Sequence, residues 1–422
     1  MLNGAGSVLF EGAGVITSII LIVYLIRRGW IMYWVLLLAI AALALTNGAG
    51  LLDNILIFFR SLTSYTAFYL GAMVVCISLF GHLHQKIGAM GKMVESLQLL
   101  IRDPRILLMI FPGAIAYFLT VPGAAIISAP IVEETGRKIN MPPLEMAMSN
   151  IIYRHLVTLV NPFNTGVILA SAITGISIGS YLGFTAPIVV VVFIIATALF
   201  FLRYRRPKEE KPVAVNRDKS SRALRTLLIT VLPYAVAILL GLACGVFFPA
   251  ALLAGIAICM FIEIPPQTGI IAALKERLII LLHGFNWTLI ISTILIVVYK
   301  DFMLEAESFF QVVDYLVEMG MPLLVLLVLL PLFTGFITGN TAAALGISLP
   351  ILIPFLASDM LTVRYFGIAY LSAFAGYFGS PVHMCTYLTN EYFKTPLYSL
   401  IKRVNVYGAI LLAVGLLIAF VF

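Results

Sequence analysis

The stretch HLVTLVNPFNTGVILASAITG, residues 155–175, has the length and apolarity of one membrane-spanning helix, yet its middle reads Asn161-Pro162-Phe163-Asn164-Thr165. Proline lacks a backbone N–H and its ring clashes with the preceding turn. In hydrocarbon every freed backbone group needs a partner, so such a break is tolerated only where protein or a cavity surrounds it. The spacing predicts a helix interrupted at mid-membrane, with two asparagines and a threonine at the interruption.

The rest of the chain fits a membrane setting. It is 62% hydrophobic and 11% charged, against about 25% charged in an average soluble chain. Mean hydropathy is +1.09. Continuous apolar runs recur from end to end, which predicts spanning helices and excludes the short alternating strands of a barrel. The net charge of +7 sits in short loops beside these runs, as a positive-inside signal does, so nucleic acid is not an expected partner and membrane lipid is. No basic region precedes the first apolar run, so no cleaved signal peptide is expected. Cys76, Cys244, Cys259 and Cys385 are scattered without metal-ligand spacing, and no disulfide framework is expected.

Charge sets a topology. Spans are predicted at about 7–26, 30–45 and 63–83, with Arg27-Arg28 inside after the first and Lys86, Lys92, Arg102 and Arg105 inside after the third. Two shorter apolar pieces follow, 104–119 and 123–132, joined by Thr120-Val121-Pro122-Gly123 and followed by Arg137-Lys138. With basic residues on both sides they read as a re-entrant hairpin. The broken helix then crosses outward, and a span at 185–202 returns to the charged segment 203–225, a cytoplasmic linker.

The second half repeats this order. Pro112 and Pro331 sit alike in PGAIAYFLTVPGAAIISAP and PLFTGFITGNTAAALGISLP, and Pro162 and Pro381 in NPFNTG and SPVHMC; 331 − 112 and 381 − 162 both equal 219. The segment 82–105 is net basic, while the segment after the span 285–299 carries Asp301, Glu305, Glu307, Asp314 and Glu318 against Lys300. Basic inside and acidic outside is the charge signature of inversion. The expected fold is an all-α polytopic membrane protein of two inverted repeats, each with five transmembrane helices, a re-entrant hairpin and a proline-broken helix. Repeat one spans 1–202, with scaffold 1–103 and hairpin unit 104–202. Repeat two spans 226–422, with scaffold 226–321 and hairpin unit 322–422. Both termini are expected outside a cytoplasmic membrane.

Discontinuous helices at matching positions of two inverted halves point to a transporter's binding site: helix N-termini suit an anion and freed carbonyls a cation. Asn161, Asn164, Thr165 and Ser380 are read either as ligands of substrate or cation, or as groups re-satisfying a kinked backbone. Thr338, Asn340 and Thr341 form the second hairpin tip, and Thr120 and Gly123 the first, as contacts or as turn chemistry. Arg154 would attract an anion or snorkel to the inner interface; His383 would carry a proton or bind a carboxylate, or pack as a neutral histidine. Na+ prefers oxygen ligands, which Asn161, Asn164, Thr165, Asn340 and Ser380 offer. Glu11 is read as interfacial, Glu133, Glu134 and Glu145 as solvated, and His82 and His84 as loop residues without metal.

This pattern resembles the ion transporter superfamily, which includes divalent-anion/sodium symporters, gluconate-type permeases and the large membrane subunits of tripartite transporters, and within it an uncharacterised ten-span family. Asn164-Thr165 and Thr338-Gly339-Asn340-Thr341 are similar to its Ser-Asn-Thr signatures; Thr120-Val121-Pro122-Gly123 and Ser380-Pro381-Val382-His383 depart from them. The resemblance implies elevator-like secondary transport, with the hairpin units mobile and the scaffolds pairing two copies into a homodimer. Residues 86–101 and 302–319 would be arms lying in the two interfaces. The expected activity is symport of a small organic anion, most plausibly a carboxylate, with Na+ or H+ as coupling ion and no other cofactor. The competing classes are a channel, whose filters also use hairpins, and an intramembrane enzyme. The enzyme is disfavoured by the absence of HExxH and P-loop motifs and by six aspartates all expected in loops.

Overall fold

A computed structural model describes residues 13–18, 20–22, 24–25, 28–118, 124–204, 217–262, 264, 269–305, 320–353, 356, 362–381 and 383–421. Among these residues the structure is helical, with no strand. The first half contains α1 (Ala13–Ile22), α2 (Met32–Thr46), α3 (Leu51–Leu62), α4 (Tyr65–Lys86), α5 (Ala89–Leu100), α6 (Pro104–Phe118), α7 (Ala124–Arg137), α8 (Pro143–Thr158), α9 (Thr165–Thr174) and α10 (Ile178–Arg203). The second contains α11 (Arg217–Ile238), α12 (Phe248–Cys259), α13 (Ile270–Leu282), α14 (Trp287–Leu304), α15 (Leu323–Thr338), α16 (Thr341–Leu352), α17 (Val363–Phe378), α18 (Met384–Phe393) and α19 (Leu397–Val421).

Five helical stretches are long and apolar enough to cross a bilayer unaided: 65–86, 178–203, 218–243, 287–304 and 397–421. The protein is therefore a helical membrane protein. Several remaining apolar helices, including α6, α9, α15 and α16, have 10–17 residues. That is short of the ~20 residues a span needs, and these are the elements expected to be hairpin limbs and half-helices. The break falls where Pro162 dictates: α8 stops at Thr158 and α9 starts at Thr165. Prolines inside α6, α7, α10, α11, α15 and α16 do not stop those helices. After Pro233, α11 runs on to Ile238 and loosens into a π-helical turn, 239–243.

The two halves keep the same register. Leu51 and Ile270, Pro104 and Leu323, Thr165 and Met384, Ile178 and Leu397 each begin a helix, and each pair is 219 residues apart. The packing crosses between halves: α4 lies on α12 and α13, while α14 lies on α2 and α3. Further in, α9 packs on α16, and α18 on α7 and α8. The hairpin limbs seat against the broken helices, α6 on α8 and α15 on α17. The second contact is glycine-dependent, since a methyl on Gly335 would lie 2.2 Å from the Ala373 carbonyl oxygen and one on Gly376 2.0 Å from that of Leu332.

Several sequence expectations change. His82 and His84 are not in a loop; both lie in α4, and His84 is fully buried with Nε2 2.9 Å from the Thr230 carbonyl oxygen. Glu145 is not solvated: it is 8% exposed and ion-paired to Arg203 and Arg403, joining the start of α8 to α10 and α19. Asp53, Asp218 and Asp301 occupy the end turns of α3, α11 and α14 rather than loops. The segment read as linker is helical from Arg217 onward. The first arm corresponds to α5, whose Met90 and Met93 pack on Leu107, Phe111 and Ile115. Of the second arm, residues 302–304 continue α14 and 306–319 lie outside the described residues. The stretch 7–12, with Glu11, also lies outside them.

Candidate functional site

Each break is pinned to a hairpin by the same construction. Asn161 is fully buried; its Nδ2 donates to the Tyr117 carbonyl at 2.9 Å, and its Oδ1 accepts from the Phe163 N–H at 2.9 Å. Ser380, also fully buried, donates its hydroxyl to the Phe336 carbonyl at 2.6 Å. Both acceptors belong to the last turn of the hairpin's first limb, where carbonyls have no intrahelical partner. Both bonds span 44 residues, and the donors are 219 apart. Asn161 and Ser380 thus cap a hairpin limb from outside it.

Asn164 caps α9, its Oδ1 accepting from the Gly166 N–H at 2.7 Å. Asn340 caps α16 in the same way, accepting from the Ala343 N–H at 2.9 Å. Gly339 supplies the left-handed turn, φ +60°, that lets α15 end and α16 begin. A methyl on Gly166 would lie 3.0 Å from Thr341 Cγ2, and one on Gly346 3.5 Å from Leu169 Cδ2. Contacts that advance together along both helices mean that α9 and α16 run the same way, N-terminus beside N-terminus. Each terminus is an Asn-Thr cap, with Asn164 and Thr165 half-buried, Thr341 buried and Asn340 exposed. Thr338 is buried and donates to the Thr334 carbonyl at 2.7 Å, so it finishes α15. Thr120 and Gly123 lie outside the described residues.

A cavity of about 510 Å³ reaches the first break at Phe163. Its wall includes Phe163 of the first break and Tyr117 and Phe118 at the end of α6. The other side is Ser78, His82 and Gln85 of α4, with the loop from His283 to Asn286.

A second polar centre lies between α8 and α18. Arg154 and His155 are 4% and 1% exposed, so Arg154 does not snorkel but points into protein. His155 Nδ1 is 2.7 Å from the Ile151 carbonyl, and its Nε2 is 3.1 Å from His383 Nε2 and 3.2 Å from the Tyr377 hydroxyl. His383 is 1% exposed, with Nδ1 3.1 Å from Thr386 Oγ1. Cys385 joins them: one donor atom each from His155, His383 and Cys385 lie within 4.8 Å of one another. Further along, Ser128 donates to Asn150 Oδ1 at 2.6 Å, and Asn150 Nδ2 is 3.3 Å from Thr389 Oγ1, linking α7, α8 and α18.

Of the residues expected to form the site, the structure brings Asn164, Thr165, Asn340 and Thr341 to one place and Arg154 and His383 to another. His155, like Arg154 and His383, is an ionisable residue beside a break in the sequence, while Cys385 and Asn150 escaped the sequence reading. Asn150 has a signal, a polar stripe of Asn150, Arg154, Thr158 and Asn161 recurring every three or four residues along α8 and into the break.

Residues 10–422 match a family described as "Protein of unknown function (DUF401)". The chain belongs to the DUF401 family. A search of the curated proteins returned no match.

Proposed function

We propose that the protein is a secondary active transporter for a small organic anion of the carboxylate class, working by an elevator-like mechanism coupled to Na+ or H+. The observation that carries this reading is the side-by-side placement of the α9 and α16 N-termini, each opened by an Asn-Thr cap. A helix N-terminus bears roughly half a positive charge, and two together form an anion site without a charged side chain. In hydrocarbon such broken backbone is tolerated where a ligand or cavity adjoins it, and the cavity wall ends on Phe163, next to Asn164.

The common spacing of 219 residues, the matched 44-residue caps at Asn161 and Ser380, and the reciprocal packing of α4 and α14 support two repeats related by a pseudo-two-fold axis. Opposite charge after the two halves' spans supports inversion and ten crossings, with both termini outside. In that topology the cavity opens inward, with His82 and Gln85 of the α4 end on its wall. Scaffold helices α2–α4 and α12–α14 would hold the dimer, and the hairpin units would move.

Thermal unfolding of the purified chain against a panel of small carboxylates, each in sodium and in choline, tests this. A ligand that binds only the folded state raises apparent stability by mass action. A carboxylate shift requiring sodium supports Na+ symport, and one that depends on pH instead supports H+ coupling. No shift with any carboxylate in either salt and across pH sinks the carboxylate assignment.

A further inference from the structure

The pair of imidazoles between α8 and α18 has no part in that anion site, and its geometry is of another kind. We propose that His155, His383 and Cys385 bind a soft monovalent metal ion of the cuprous class.

Four observations converge. First, the donors come from segments 228 residues apart in sequence, yet meet at 3.1 Å for the two Nε2 atoms and within 4.8 Å for all three ligand atoms. Two metal–nitrogen bonds of ~2.0–2.1 Å in a three-ligand, near-trigonal shell place their nitrogens roughly 3.5 Å apart, a few tenths of an ångström beyond the spacing here. Second, both imidazoles are oriented from behind. The Ile151 carbonyl fixes the proton of His155 on Nδ1, so its Nε2 turns a lone pair toward His383 Nε2 and the Tyr377 hydroxyl; Thr386 Oγ1 holds the His383 ring from behind at Nδ1. Outer partners of this type accompany metal-bound histidines and set their tautomer. Third, the cluster is dry: His155 and His383 are 1% exposed and Cys385 6%, with Phe374, Phe378 and Tyr377 around His155.

Fourth, the charges select the ion. Arg154, next to His155 in the chain and 4% exposed, sets a full positive charge beside the cluster. That charge opposes a dication. A monovalent ion with one thiolate and two imidazoles is neutral, and soft sulfur ligation favours Cu+. The hard oxygen set at the first break and second hairpin offers the opposite preference.

The test uses the full chain, purified metal-free under reducing conditions in a Cys244→Ser background, which removes the exposed thiol. Cu+ retention is measured against a competing bicinchoninate chelator, with Zn2+ and Na+ in parallel. One Cu+ per chain is expected, with at least tenfold weaker retention in Cys385→Ser and His383→Gln and no change in Cys259→Ser. X-ray absorption of the Cu+-loaded background chain, which needs no further variant to fold, should show two nitrogens and one sulfur around the metal. Retention that ignores Cys385→Ser, a sulfur-free shell, no retained Cu+, or Zn2+ held where Cu+ is not would each overturn the assignment. Carboxylate shifts from the preceding experiment are independent of all these outcomes.

Discussion

Replacing Asn161 separates two meanings of a polar residue at a helix break. As a cap, Asn161 uses both ends of its amide: the donor on the Tyr117 carbonyl and the acceptor for the Phe163 N–H, each at 2.9 Å, with no exposure. Asn161→Ala orphans both backbone groups. Each buried unsatisfied group costs about 1–3 kcal/mol, so the loss is about 2–6 kcal/mol. Ser380→Ala orphans the Phe336 carbonyl, bonded at 2.6 Å, and is expected to cost about 1–3 kcal/mol on the same scale. Asn161→Asp is the sharper probe. It retains the acceptor but sets a carboxylate oxygen against the Tyr117 carbonyl oxygen, where a donor had been. It should therefore be less stable than Asn161→Ala, although nearly the same shape as the native residue.

The assay is thermal unfolding of detergent-purified variants in matched buffers of sodium and of choline. As a cap, Asn161 gives the stability order Ser380→Ala above Asn161→Ala above Asn161→Asp in both salts. As a Na+ ligand, it gives the reverse for the aspartate, because a carboxylate strengthens a hard-cation site. An Asn161→Asp protein as stable as the parent in choline, or more stable in sodium, refutes the capping argument.

Three further outcomes follow from the structure. Asn164→Asp and Asn340→Asp keep good N-cap residues, so their unfolding midpoints should stay near the parent's while any carboxylate-induced shift is lost; a shift that survives in both rules out an anion at these termini. Gly376→Ala and Gly335→Ala press a methyl onto backbone at 2.0 and 2.2 Å and should cost about 1–3 kcal/mol by overpacking. Gly113→Ala meets the Val157 side chain at 2.7 Å and should cost less, the three being ranked by chemical denaturation. The Tyr392 hydroxyl, at 2.8 Å, and the Arg137 guanidinium hold the Glu133 carboxyl below its usual range. A depressed carboxylate adds stability above its unfolded pKa and loses it as pH falls through the folded one. Tyr392→Phe should therefore destabilise at neutral pH and converge with the parent in acid, and a deficit that persists in acid would point to lost packing instead.

How much of this was legible beforehand depended on the kind of interaction. Pro162 marked the first break because a missing N–H is a local, chemical fact, and α8 and α9 end and begin around it. The short limbs α6, α15 and α16 were legible because apolar length is additive along the chain. Burial of charge was not legible. Glu145 looked solvated because it follows the hairpin in a stretch expected to be cytoplasmic, but Arg203 and Arg403 come from two distant helices. Arg154 looked able to snorkel, and the length of its side chain gave no hint that α17 and α18 enclose it. His84 was misplaced because the basic end of α4 reads like a loop while continuing as helix to Lys86.

The deepest gap between sequence and structure concerns what the 219-residue spacing carries. It aligns backbone: the starts of α6 and α15, α9 and α18, α10 and α19, and the caps at Asn161 and Ser380. It does not align chemistry. Asn164 falls opposite His383, Arg154 opposite Ala373, and Asn150 opposite Ala369. Comparing the halves therefore recovers where the chain must break, since hydrogen bonding constrains both halves equally, and misses what each break holds. The amide-capped termini of α9 and α16 offer partial positive charge and oxygen ligands; the imidazoles and thiol between α8 and α18 offer soft lone pairs beside a full positive charge. Two centres so unlike in donors are suited to different ligands, although α9 and α18, which each contributes, begin at matching positions of the two halves.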